Sequence, residues 1–290
     1  MRCSPLDAPF GARLHLETLE TGEPLTPAER ADLRRLFAEH GLLLVRDGEI
    51  TDAQQIDLLS ALGRIEPDEQ GLPMRMEVTN QHDQTSAPDG ELVFHYDYAY
   101  DPTPILGISM YGSLIADGAT PTCFASSSSV LSRLPTSLVD RLRGLRASHA
   151  CFLNRLDQPD QRSVEPEPII PRGRPGWGPD HYWTHHPVIF ENAYGVETLF
   201  VCLQHTDRLL DLSRTVSDGL LEEIFEHLYD PRHVYEHAWQ PEDLVLWDNL
   251  TVQHARPEPN DQPRTLRRYH LSETNLTADY LRVAREQGLV

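Results

Sequence analysis

His95 and Asp97 stand two residues apart in Phe94-His95-Tyr96-Asp97-Tyr98, a run of β-formers. On a strand that spacing turns both side chains to one face. An imidazole beside a carboxylate supplies two of the three ligands of a 2-His-1-carboxylate site, the arrangement that leaves open positions on a non-haem Fe(II). The pair alone is a weak signal, because a polar strand face can carry it by chance. The third ligand has to come from elsewhere. Leu244 to Arg256 offers it: the apolar run Leu244-Val245-Leu246-Trp247 passes through an Asp248-Asn249 turn to His254, and Arg264, Arg267 and Arg268 follow within fourteen residues.

Phe94-His95-Tyr96-Asp97, then Trp247-Asp248-Asn249 and His254, 157 residues beyond Asp97, then Arg264-x-x-x-Arg268, resemble the TauD/TfdA family of Fe(II)- and 2-oxoglutarate-dependent dioxygenases. Pro121-Thr122-Cys123-Phe124-Ala125-Ser126 is similar to the family segment that follows its Gly-Asp-Thr turn. The correspondence runs from about Leu33 to Leu271. It implies a double-stranded β-helix (jelly-roll, cupin-like) core, with Fe(II) held by His95, Asp97 and His254, and with 2-oxoglutarate and O2 as cosubstrates. By the family pattern Arg264 pairs with the far carboxylate of 2-oxoglutarate, where a planar guanidinium gives a bidentate partner, and Thr122 adds a hydrogen bond. Arg268 corresponds to a position that grips an anionic substrate in some members; it could equally share the cosubstrate. On a strand Arg264 and Arg268 point to one side and Arg267 to the other, as a surface charge.

The implied reaction is hydroxylation of an unactivated C–H bond of a small molecule, an amino acid or a natural-product intermediate of secondary metabolism. Desaturation, cyclisation and dealkylation use the same ligands and stay open. Halogenases related to the family lack the carboxylate, so Asp97 favours hydroxylation over halogenation. The substrate-gripping histidine of the taurine enzymes has no clear counterpart in Gly63 to Gly71, where Glu66, Asp68 and Glu69 stand, so taurine is a poor guess. Asn80 is a candidate substrate contact. Two rivals come from other classes. A hydrolytic zinc enzyme could use the same three ligands but has no need of Thr122 and the arginine pair; a non-catalytic jelly-roll binding protein would be expected to have lost a ligand.

Composition narrows the field further. All 25 basic residues are arginine, which excludes Schiff-base chemistry, pyridoxal phosphate attachment and the P-loop lysine. A net charge of -20 argues against a nucleic-acid partner. No apolar run is long enough for a membrane span, and the N-terminus lacks the apolar core of a signal peptide, so the expectation is a cytoplasmic protein; a homo-oligomer is left open. Cys3, Cys123, Cys151 and Cys202 are scattered and read as reduced thiols.

The elements that must position these residues are mostly strands. Two helices are signposted early: Thr26, Pro27 and Glu29 open one that ends near Gly41, and Thr51 with Gln54 opens another closed by Gly63. Leu42 to Val45 between them reads as a buried strand. Further strands are expected at Arg13 to Thr18, Met74 to Val78, around His95, Ile105 to Tyr111, Thr120 to Phe124, Trp183 to Phe190, Val196 to Leu203, Val234 to Trp239, Leu244 to Trp247 and Thr265 to Leu271. Asn192 to Gly195 reads as a hairpin turn, the serines 126–129 as a helix entry, and Asp218 to Leu228 and Ala278 to Arg285 as helices. Six prolines between Asn154 and Asp180 predict a long loop or lid. Strands do not alternate regularly with helices, so the fold class is mostly β with helical insertions (α+β), an antiparallel jelly roll in a single 1–290 domain.

Overall fold

The computed structural model describes residues 1–16, 23–46, 48–82, 85, 90–150 and 183–276. The proline-rich segment expected as a lid and the final expected helix lie outside the described residues. Elements are numbered along the chain.

Both early helices start as their sequences dictate. α1 (Pro27–His40) opens on Thr26, whose hydroxyl accepts from the Glu29 amide while the Glu29 carboxylate accepts from the Thr26 amide at 2.8 Å. It closes on Gly41, whose φ of 68° is open to glycine without a Cβ penalty. α2 (Asp52–Leu62) repeats the capping box with Thr51 and Gln54, but Gly63 closes it in extended backbone.

The two helices cover one face of a seven-stranded sheet, in the order β1 (Arg2–Pro5), β2 (Ala12–His15), β3 (Leu42–Val45), β14 (Leu244–Asp248), β6 (Gly107–Ile115), β16 (Arg264–Leu271), β4 (Met76–Thr79). Strand β3 shows why its sequence is apolar throughout. Leu43 and Val45 pack with Leu33, Leu36 and Phe37 of α1, whereas Leu42 and Leu44 pack with Val245 and Trp247 on the opposite face. That opposite face meets a four-stranded sheet ordered β13 (Val234–His237), β7 (Thr122–Ser126), β15 (Val252–Arg256), β5 (Leu92–His95). Ile108, Met110, Trp247 and Leu266 of the larger sheet share one buried cluster with Phe124 and Val252 of the smaller. This is the expected β sandwich with helical additions, antiparallel except where β2 pairs with β3 in parallel.

A third layer is attached. α3 (Ser127–Leu131) is capped by Ser126, so the serine run is the helix entry the sequence suggests. With α4 (Thr136–Leu142) and α5 (Arg214–Leu228), which begins four residues before the expected Asp218, it packs on a small sheet ordered β12 (Thr206–Leu209), β8 (Arg146–Ala150), β9 (Trp183–Pro187). β8 and β12 escape the sequence reading because they carry buried polar residues, Ser148, His149, Thr206 and Asp207, in place of an apolar alternation. β10 (Ile189–Glu191) and β11 (Glu197–Leu199) form the hairpin expected at Asn192 to Gly195. Among the described residues Cys3, Cys123 and Cys202 are free thiols, and no helix is long and apolar enough to cross a membrane.

One sequence expectation is overturned here. Arg267 is not a surface charge: it is 8% exposed and lies over the Tyr111 ring at 4.4 Å, with Nε donating to Gln55 Oε1 at 2.6 Å and Nη2 to the Ile50 carbonyl at 2.7 Å. The outer face of β16 is roofed by α2, so a residue there needs partners in place of water.

Candidate active site

β15 lies between β7 and β5, with His254 directly opposite His95 on one side and Phe124 on the other. The two imidazoles are 4.1 Å apart between ring centroids. Asp97 joins them, though not by strand alternation: β5 ends at His95, and Asp97 sits in the turn that follows. What fixes it is Asn249, whose amide receives the Asp97 N–H at 3.0 Å and donates to the Asp97 carbonyl and the Ile105 carbonyl, each at 2.9 Å. Tyr98, the next residue, takes a φ of 57°, a left-handed conformation rare for a bulky side chain. Tyr96 between His95 and Asp97 points the other way, stacking on Phe200, its single hydroxyl proton donated to the Leu199 carbonyl while its oxygen hydrogen-bonds with the Ser127 hydroxyl.

Asp97 Oδ1 is 3.3 Å from His95 Nε2 and 3.8 Å from His254 Nε2, and the three ligand atoms all fall within 4.8 Å of one another. His95 Nδ1 donates to the Val93 carbonyl at 2.8 Å, which leaves Nε2 with its lone pair toward the cluster. Burial holds the His95 imidazole down at a pKa of about 4 and His254 well below its ordinary value, the neighbouring His95 adding to the effect. Two neutral imidazoles and one carboxylate are the donor set that suits a divalent iron.

Asn249→Ala removes the three hydrogen bonds that shape the Asp97 turn and is expected to weaken Fe(II) binding about 10- to 100-fold. Anaerobic Fe(II) titration checks it; an unchanged affinity would show that the turn holds without the amide.

The larger sheet contributes from across the core. Arg264, Leu266, Arg268 and His270 share the inner face of β16. Arg264 Nη2 donates to Thr122 Oγ1 of β7 at 3.0 Å, and Trp239 Nε1 donates to the same oxygen at 2.9 Å. Arg264 is 3% exposed, with Nε and Nη1 lacking a hydrogen-bond partner among the described residues, and burial first, then Arg256, lowers its pKa to about 9. Such donors need an anion. Arg268, lowered by burial to about 10, pairs with Asp97 Oδ2.

The side chain of Asn80, the candidate substrate contact, is engaged by backbone groups. Its amide donates to the Asn260 and Gln262 carbonyls at 2.6 and 2.8 Å and accepts from the Arg264 N–H at 3.1 Å, so it fixes the entry to β16. His185 and His186 face opposite ways as expected, the first exposed and the second buried against the Asp101 carbonyl.

The model of the taurine catabolism dioxygenase TauD, TfdA family matches residues 3–270. The chain belongs to the TauD/TfdA family. Its class is that of the Fe(II)- and 2-oxoglutarate-dependent dioxygenases. It is 25% identical over 279 residues to the (S)-phenoxypropionate/alpha-ketoglutarate-dioxygenase of Sphingobium herbicidovorans, covering 91% of this chain and 92% of that one. It is 30% identical over 172 residues to pentalenolactone F synthase of Streptomyces arenae, covering 56% of this chain and 55% of that enzyme; that match thus spans about half the relative's length. The fold is shared with the crystal structure of AAD-2 in complex with Mn(II) and N-oxalylglycine, at a TM-score of 0.72 and 20% identity over 93% of this chain and 96% of that one.

This TauD/TfdA chain also brings in residues that the motif did not name. His270 Nε2 lies 3.6 Å from Asp97 Oδ2, while His270 Nδ1 bonds the wholly buried Glu66 carboxylate at 2.7 Å. The alternation that paired Arg264 with Arg268 reaches His270 as well, so that signal was available. Glu66 had no local signal, since only the bridge of Ile65 to Leu271 carries it alongside β16.

The buried histidines set a pH dependence. His95 and His270 are held at about 4 by burial, and His149 and His254 well below 6.5. Between ~pH 6.5 and 4 the unfolded chain takes up protons that the native state refuses, so stability present in full above ~6.5 is lost as pH falls, at about 1.4 kcal/mol per unit for each group. Asp248, raised by burial to about 6, acts in the opposite sense over part of that range. The metal-free protein is therefore expected to lose urea resistance from pH 7 to pH 5; a flat midpoint would contradict this.

Proposed function

We propose that this chain hydroxylates an unactivated C–H bond of a small organic molecule, an amino acid or a natural-product intermediate, using Fe(II) bound by His95, Asp97 and His254 and 2-oxoglutarate held by Arg264 and Thr122. When bound, iron and 2-oxoglutarate supply the oxidising power, with 2-oxoglutarate converted to succinate and carbon dioxide and O2 as the oxidant. The protein's part is to bind and to aim. His95 and His254 offer Nε2 from paired strands, and Asp97 turns Oδ1 toward them while Arg268 engages Oδ2. With Arg268 on Oδ2, it is Oδ1 that Asp97 would offer to the metal beside His95 and His254.

The observation that carries the reading is the buried Arg264 guanidinium, bonded to Thr122 and with two nitrogens unpartnered. A hydrolytic zinc site has no use for it, whereas a dicarboxylate cosubstrate supplies the missing acceptor. The names of the relatives, a phenoxypropionate dioxygenase and pentalenolactone F synthase, fit a small-molecule substrate. Arg268 pairs with Asp97, and in this reading a substrate anion is its second partner.

The test is Fe(II)-dependent succinate formation across a panel of amino acids, aryloxyalkanoates and terpenoid acids, with products analysed after turnover under 18O2. Label in a new hydroxyl group supports hydroxylation; an unlabelled, dehydrogenated or cyclised product would replace it with one of the other outcomes open to these ligands. Absence of iron-dependent succinate in every case would count against the enzyme reading.

A further inference from the structure

Thr122 Oγ1 receives two hydrogen bonds, from Trp239 Nε1 at 2.9 Å and from Arg264 Nη2 at 3.0 Å. A hydroxyl has two lone pairs and a single proton. Both lone pairs are engaged by donors that have no acceptor to offer, so the proton must turn to a third group. Arg264 Nε and Nη1 are also buried without a partner. Three donors thus meet at one place, 4% exposed at Thr122 and 3% at Arg264, and the group that answers them is a carboxylate.

Trp239 is common to both sides of this clamp. It stands between β13 and β14, with its indole N–H on Thr122 and the Arg264 Cζ 5.7 Å from its ring centroid. The ring face lies within cation–π range of the guanidinium, and the N–H decides which way the threonine proton can point. We propose that Trp239 is a positioning residue for the far carboxylate of 2-oxoglutarate: by taking one Thr122 lone pair it commits the Thr122 hydroxyl to donate to that carboxylate. The inference rests on the assignment of Thr122 and Arg264 to the cosubstrate and adds a residue that touches neither iron nor cosubstrate.

The experiment is anaerobic titration of the Fe(II) protein with 2-oxoglutarate and separately with pyruvate, which chelates through the same keto acid but has no far carboxylate. Trp239→Phe keeps an aromatic face and removes the N–H; Thr122→Val removes the hydroxyl. Each is expected to raise the Kd for 2-oxoglutarate about three- to tenfold and leave that for pyruvate within about twofold. The double variant is expected to lose no more than the larger single loss, because the indole has nothing to orient once the hydroxyl is gone. An unchanged 2-oxoglutarate affinity in Trp239→Phe, equal weakening of both ligands, or multiplicative losses would overturn the proposal. If the wild-type protein binds neither keto acid, the cosubstrate assignment itself fails, a result distinct from any of these. Should Trp239→Phe not fold, the indole N–H resonance of Trp239 in 15N-labelled protein carries the test: it is expected to move in Thr122→Val and stay in Thr122→Ser, and an unmoved resonance in Thr122→Val overturns the inference.

Discussion

His254→Ala is expected to weaken Fe(II) binding more than about 100-fold and to abolish 2-oxoglutarate turnover while the protein stays folded. The physical case lies in what His254 does without metal. Its ring is 7% exposed, packed 5.0 Å from the Trp247 ring, and Nδ1 has no hydrogen-bond partner among the described residues. Its imidazole is kept neutral by burial. A buried polar group so poorly satisfied contributes little to stability, and only the packing of the ring is lost on truncation. Circular dichroism and a thermal midpoint within several degrees of wild type should therefore accompany the loss of metal. A His254→Ala protein that binds Fe(II) as tightly as wild type would remove His254 from the ligand set.

Arg264→Met is the second large effect, and it separates the cosubstrate from the metal. With the guanidinium gone, the far carboxylate of 2-oxoglutarate would enter a nearly water-free space with no cation to meet it. Breaking one side of a buried ion pair costs about 3–5 kcal/mol, which corresponds to a rise of about two to four orders of magnitude in the Kd for 2-oxoglutarate. Fe(II) affinity should hold, because Arg264 bonds to Thr122 and to none of the three ligands. Arg264→Lys should recover little, since a single ammonium cannot reproduce the fork that reaches Thr122 and a carboxylate together. Equilibrium titration of the Fe(II) protein with 2-oxoglutarate measures both; a change below about fivefold would place the carboxylate elsewhere.

That His95, Asp97 and His254 belong together was legible from chemistry and order along the chain, and the structure brings them within 4.8 Å of one another, but the geometry behind the cluster was only partly legible. His254 opposite His95 follows from strand pairing, a long-range register that no local pattern states. Asp97 was found by a rule that does not apply to it. Strand alternation predicted a shared face with His95, yet Asp97 lies beyond the strand end and reaches the cluster through a turn held by Asn249. Asn249 itself passed as an architectural turn residue because its partners are backbone groups about 150 positions away. Local periodicity served well where one face is buried against one neighbour, as in α1, α2 and β3. It misled where a polar residue is buried: Arg267 reads as a surface charge until α2 is known to lie over it. Glu66 and His270 fall in the same class, polar side chains whose partner is a distant polar side chain.

In the function proposed, the chemistry is set by two groups that meet only in the folded chain: the His95, Asp97 and His254 cluster on the smaller sheet and its adjoining turn, and the Arg264 and Thr122 pair that bridges the two sheets. Their joint action is what distinguishes a 2-oxoglutarate-dependent oxygenase from a metal site alone. Anaerobic addition of Fe(II) and then 2-oxoglutarate to the metal-free protein tests this most directly, by the weak visible charge-transfer band that appears when a keto acid chelates protein-bound iron. The band is expected at one equivalent of iron in the wild-type protein and is expected to vanish in His95→Ala. No band, together with no Fe(II)-dependent binding of 2-oxoglutarate, would contradict the assignment.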